Sequence, residues 1–102
     1  MNDEIDHEKG KAHTYDSLGY IYAQMHDLSR SAGYYRKALR LFREFGDRYL
    51  EADTQIKLGD VARDSGDEPA AKVAWKAAVT ILDDIGNPRA DEVRERLWEA
   101  TV

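Results

Sequence analysis

Residues 12–46, AHTYDSLGYIYAQMHDLSRSAGYYRKALRLFREFG, are followed 40 positions later by a second version of themselves, ADTQIKLGDVARDSGDEPAAKVAWKAAVTILDDIG, residues 52–86. Ala12 falls on Ala52, Thr14 on Thr54, Leu18 on Leu58, Gly19 on Gly59, Asp27 on Asp67, Ala38 on Ala78 and Gly46 on Gly86. Between the identities the character is kept: Ile21 with Val61, Tyr35 with Trp75, Leu39 with Val79, Phe45 with Ile85. No gap is needed. A fixed period of this length is the mark of stacked supersecondary units.

Each period reads as two helices. In the first, Ala12, Tyr15, Leu18, Gly19, Tyr22 and Ala23 recur at steps of three and four, one face of a helix. A break at Met25-His26-Asp27 follows, with Asp27 placed to cap the next helix. The second helix carries Ser31, Tyr34, Tyr35, Ala38, Leu39, Phe42 and Phe45 inward and stops at Gly46, where Asp47 begins the next cap. The second period predicts helices over about 48–65 and 68–85, split at Gly66-Asp67, with Pro69 in a first turn and Ala70, Ala71, Ala74, Trp75, Ala78, Val79 and Leu82 inward. Gly86-Asn87-Pro88 is a stop, an N-cap and a helix start in succession.

A fifth helix, about 88–100, stands where a third period would begin. Ala90, Val93, Leu97 and Trp98 form its apolar stripe under a charged outer face, as the end of a stacked array requires. The expectation is an all-α fold in a single domain, 1–102: a first repeat over about 8–46, a second over about 48–86 and a capping helix over about 88–100. Gly19, Ala38, Gly59 and Ala78 are small where helices cross, and Tyr22, Tyr35 and Trp75 fill the space beside them.

Composition excludes several functions. The chain lacks cysteine, so disulfides, thiol chemistry and cysteine-based zinc sites are ruled out. A net charge of −5 disfavours a phosphate backbone as partner. No apolar run suits a membrane span and no leader pattern opens the chain, which points to the cytoplasm. Phosphate-loop, dinucleotide, zinc-protease and serine-hydrolase motifs are missing, so no enzyme, metal or cofactor is expected. His7 and His13 are read as flanking the first helix start, and none of the three histidines has a partner at metal spacing. Arg36, Lys37, Arg40 and Arg43 read as a solvated ridge, with an Arg40–Glu44 pair and the acidic Asp3, Glu4 and Asp6 able to lie against it.

Leu18-Gly19, Tyr22, Tyr35 and Ala38, then Leu58-Gly59, Ala62, Ala71, Trp75 and Ala78, resemble the tetratricopeptide repeat over about residues 8–87. Ser31, Gln55 and Ala62 depart from its pattern. The 40-residue period is similar to the repeats at the C-terminal end of bacterial multidomain transcriptional regulators of the antibiotic-regulatory and nucleotide-switch types, and to those of animal spindle-orientation adaptors. The resemblance implies an α-solenoid of two hairpins plus a closing helix, acting in a larger cytoplasmic regulator.

In that family the first helix of each pair lines a concave channel that receives a peptide or helix. Carried over by position, the channel presents His13, Asp16, Tyr20 and Gln24, then Ile56, Asp60, Arg63 and Asp64, then Arg96, with Tyr20 and Ile56 as anchors. Relatives that clamp acidic chaperone tails place cations at the positions of Asp16 and Asp60, so a basic, amphipathic or polar segment is expected instead. The implied partner is a protein or peptide segment, including one from its own parent protein. So short an array also suggests an excised part of a longer solenoid, or a homodimer joined through Tyr15 and Ile5 with no external ligand.

Overall fold

A computed structural model describes residues 3–101, with side chains from His7 to Thr101. It contains five helices: α1 (Asp3–Gln24), α2 (Leu28–Phe45), α3 (Arg48–Asp64), α4 (Glu68–Asp84) and α5 (Ala90–Thr101). No strand occurs among the described residues, and no helix there is long and apolar enough to cross a membrane. The helix contacts of any extent are between sequence neighbours, and the chain forms a slab about 51 × 33 × 16 Å.

The turns explain why the helices end where they do. Each of the four connections has one left-handed residue, His26 (φ 62), Gly46 (φ 72), Gly66 (φ 85) or Gly86 (φ 69). The next residue sends its backbone N–H back to a carbonyl in the last turn: Asp27 to Tyr22, Asp47 to Phe42, Asp67 to Ala62, Asn87 to Leu82. That same residue then caps the following helix. Asp27 Oδ1 accepts from the Arg30 N–H, Asp47 Oδ1 from Leu50 and Asp67 Oδ1 from Ala70, at 3.1–3.2 Å. Asn87 Oδ1 accepts instead from the Arg89 N–H at 2.9 Å, inside the turn that leads into α5. One residue thus closes one helix and opens the next, satisfying orphan groups at both.

The core divides by hairpin. Ala12, Ala38, Leu41 and Phe42 form one buried cluster between α1 and α2. Ala52, Ile56, Ala71, Trp75, Ala78, Ile81 and Leu82 form the other, extended by Ala90 and Val93 of α5. Each hairpin is keyed by the same contact. Tyr35 lies flat against Gly19, and Trp75 lies 40 residues on against Gly59, so closely that a Cβ on either glycine would fall within 2.6 or 2.3 Å of the ring. Ser31 adds a buried bond across the first crossing, donating from Oγ to the Gly19 carbonyl at 2.6 Å.

Several expectations are corrected. α1 begins at Asp3, so His7 and His13 lie inside it and do not flank its start. Pro88 and Arg89 form a turn and α5 begins at Ala90. Trp98 is 71% exposed and belongs to no apolar stripe, because only Ala90, Val93, Leu97 and Ala100 of that helix reach the core. Ala70 is exposed, and Tyr34 and Ala74 only half-buried. No Arg40–Glu44 pair forms among the described residues; Arg43 instead reaches Glu51 of α3 at 3.0 Å. The expected contributions of Asp3, Glu4, Ile5 and Asp6 lie outside the described side chains.

Candidate protein-binding site

α1, α3 and α5 are joined along one face by ion pairs. Asp16 of α1 accepts from Lys57 of α3, whose ammonium also meets Asp53 at 3.0 Å. Asp53 in turn accepts from Arg89 at 2.7 Å, and that guanidinium also bonds the Tyr49 hydroxyl and Glu92. Two turns further along α3 from Asp53, Asp60 accepts from Arg96 of α5 at 2.9 Å and from the Trp75 indole N–H at 3.1 Å.

These side chains are partly shielded, which strengthens the pairing. Burial alone would raise the pKa of Asp53, but hydrogen bonds from Arg89 and Lys57 hold its carboxyl below the usual value. Burial alone would lower that of Lys57, yet Asp53 and Asp16 keep the ammonium above its ordinary value. The Tyr35 hydroxyl beneath the ladder is pushed up to about 12, chiefly by burial.

Of the nine residues read from sequence as a binding channel, five are engaged within this network. Asp16 meets Lys57; Asp60 meets Arg96; Arg63 pairs with Asp60 and Asp64 and lies 5.8 Å over the Trp75 ring. Ile56 is overturned as an anchor. It is 2% exposed and part of the α3–α4 core, because the helix face taken for the channel turns its apolar position inward. His13 packs edge-on against Phe42 at 5.5 Å and lines a separate depression with Lys9, Phe45 and Tyr49. Only Tyr20, 57% exposed, and Gln24 remain open and unpaired among the described residues.

Sequence reasoning missed Lys57, Asp53 and Arg89, although Asp53 and Lys57 stand at helical i,i+4 spacing and Tyr49 and Arg89 are one period apart. It also missed a trough on another side of the molecule. α2 and α4 flank it, α3 forms its floor, and its volume is about 560 Å³. Leu28 and Ala32 make one wall, Ala70 and Ala74 the other, and Leu58, Ala62 and Gln55 the floor.

The repeat explains why the trough is open. In the first hairpin, Tyr15, Tyr34 and Tyr22 form a continuous stack, with centroids 6.0 and 5.5 Å apart. The positions one period later are Gln55, Ala74 and Ala62, and all three line the trough. Where three rings stand in one hairpin, the other has small side chains and one amide. Arg36 and Asp67 supply opposite charges at its edge.

No family model, curated protein or solved structure matches this chain.

Proposed function

We propose that this chain is an α-solenoid of the tetratricopeptide type, two hairpins closed by α5, and that it is a non-catalytic module holding a segment of another protein. Support for the architecture comes from the equivalent Gly19–Tyr35 and Gly59–Trp75 contacts one period apart. The observation that carries the function is the trough between α2 and α4, apolar in most of its lining and bounded by alanines. Small side chains let a partner approach the backbone, and a concave apolar surface with few polar groups is a binding site by default.

The occupant proposed is a peptide segment bearing aromatic or long apolar side chains. Rings fill this volume in the first hairpin, so rings are what the second hairpin is shaped to accept. The face formed by α1, α3 and α5 is the weaker candidate. A ligand there would have to compete with the Asp16–Lys57 and Asp60–Arg96 pairs, and breaking a partly buried pair costs more than a water-exposed contact returns. The larger cytoplasmic regulator implied by the sequence resemblance is the setting proposed for the module.

Selection from a random peptide display library tests this. Peptides recovered by the protein are expected to carry aromatic side chains and to lose binding to Ala74→Tyr, which puts back the ring of the first hairpin. Val73→Asp, at an exposed position on the rim, is expected to weaken them without affecting folding. Equal binding to all three proteins would remove the trough as the site.

A further inference from the structure

The outer face of α1 offers a second surface, independent of the trough. Leu18, Ile21, Tyr22 and Met25 share one side of the helix by their spacing. Ile21 is 49% exposed and Met25 66%. One period later the same side of α3 carries Leu58, Val61, Ala62 and Ser65; α2 packs beside it, Val61 is 6% exposed, and the rest of that side floors the trough. The fold therefore contains one example of a helix laid along this face: α2, whose Leu28 and Ala32, four residues apart, stand beside it at the trough wall.

The opposite end of the molecule is shut to the packing that α4 makes on α3. On α5, Arg96 and Glu99 stand where α3 has Ile56 and Gly59. A ring like Trp75 seats only against a glycine, since even a Cβ there would lie 2.3 Å away, and Glu99 brings a whole side chain. Arg96 is also committed to Asp60. Nothing comparable blocks the α1 face.

Charge says more about the occupant. The Arg30 guanidinium lies 5.7 Å over the Tyr22 ring, and the Lys37 ammonium lies 5.5 and 5.3 Å over Tyr15 and Tyr34, so two cations edge this face. Arg30 already has Asp27 at 3.5 Å, whereas Lys37 has no carboxylate partner among the described residues. We infer that the outer face of α1 docks an amphipathic helix of a partner protein, which packs as α2 packs on α3. Its buried stripe is of small and branched apolar residues, and its flank is acidic, to meet Lys37 and Arg30.

The probes are two labelled helical peptides matching the 18 residues of α2 in length, with one leucine–alanine stripe and either glutamate or lysine flanks. Fluorescence anisotropy with the full chain is expected to give binding of the glutamate peptide at least roughly tenfold tighter than of the lysine peptide. Ile21→Asp and Met25→Glu, both at exposed positions and so compatible with folding, are expected to abolish it. Lys37→Glu should reverse the preference, while Val73→Asp, on the trough rim, should leave it unchanged. Equal affinity for the two peptides would overturn the inference, as would binding that survives Ile21→Asp. A dimer in light scattering that Ile21→Asp dissolves would also overturn it, by giving the face to a second copy of this chain.

Discussion

Replacing Gly59 with alanine tests the contact that keys the second hairpin. The new Cβ would stand 2.3 Å from Trp75 Nε1 and 2.4 Å from its Cδ1. Comfortable carbon contacts begin near 3.5 Å, so the ring must retreat by roughly 1 Å. It has little room, because Trp75 is buried among Ile56, Ala71 and Ala78. Its N–H is also held by Asp60, a bond that the retreat would stretch. Overpacking of this kind costs about 1–3 kcal/mol, and weakening a bond to a carboxylate adds about 1 kcal/mol once its partial exposure is allowed for. Alanine returns about 1 kcal/mol over glycine in a helix interior. The net expectation is a loss of about 1–3 kcal/mol, or very roughly 5–20 °C in Tm for a domain of this size. Urea unfolding at constant m-value is the assay. Gly33→Ala in α2, where an added Cβ meets nothing within 4 Å, is the control and should gain about 0.5–1 kcal/mol. Trp75→Leu should make the Gly59→Ala step much cheaper in a double-mutant cycle. A Gly59→Ala protein as stable as the parent would refute the packing described.

Other outcomes follow from the turns, the ladder and the closing helix. His26 is the one left-handed turn residue that is not glycine, so His26→Gly should stabilise by about 0.5–1 kcal/mol in thermal unfolding, where the same change at an ordinary helix position would destabilise. Asp53→Asn should cost about 1–3 kcal/mol at neutral pH by leaving Lys57 and Arg89 short of a carboxylate. Because folding depresses the pKa of Asp53, that stabilisation is complete above the unfolded value of about 4 and is lost as pH falls through the folded one. The two proteins should therefore converge in acid, and a constant gap down to the lowest pH would contradict the pairing. Trp98→Ser should change stability by less than about 0.5 kcal/mol, whereas Trp75→Ala should lose about 3–5 kcal/mol.

The punctuation of the fold was legible in the sequence, because an aspartate after a turn or a glycine at a helix end acts through neighbours only a few residues away. Asp27, Asp47 and Asp67 all cap as expected, while Asn87 holds the turn that precedes α5. The keyed contacts were legible too, as small–large pairs repeated at one spacing. What a helical face meets was not. Ile56 and Trp98 carry similar apolar labels, but the first packs in the core with α4 while the second is 71% exposed on α5. The register of α1, α3 and α5 placed Asp16, Asp60 and Arg96 on a common face, and the structure shows them pairing with side chains on neighbouring helices. Such pairing depends on distances across helices that no single helical period specifies. The trough was half visible: Gln55 and Ala62 stood out as departures from the repeat, yet only the stacking of Tyr15, Tyr22 and Tyr34 reveals what those departures leave open.

The most direct test of the binding account is an isotope-filtered NMR experiment on the protein, methyl-labelled at alanine, in complex with an aromatic peptide recovered by selection. Intermolecular contacts are expected from the peptide ring to the methyl groups of Ala32, Ala62 and Ala74. Contacts absent from these methyls, with shifts gathered instead around Tyr20 and Gln24, would contradict it and return the site to the face lined by α1, α3 and α5.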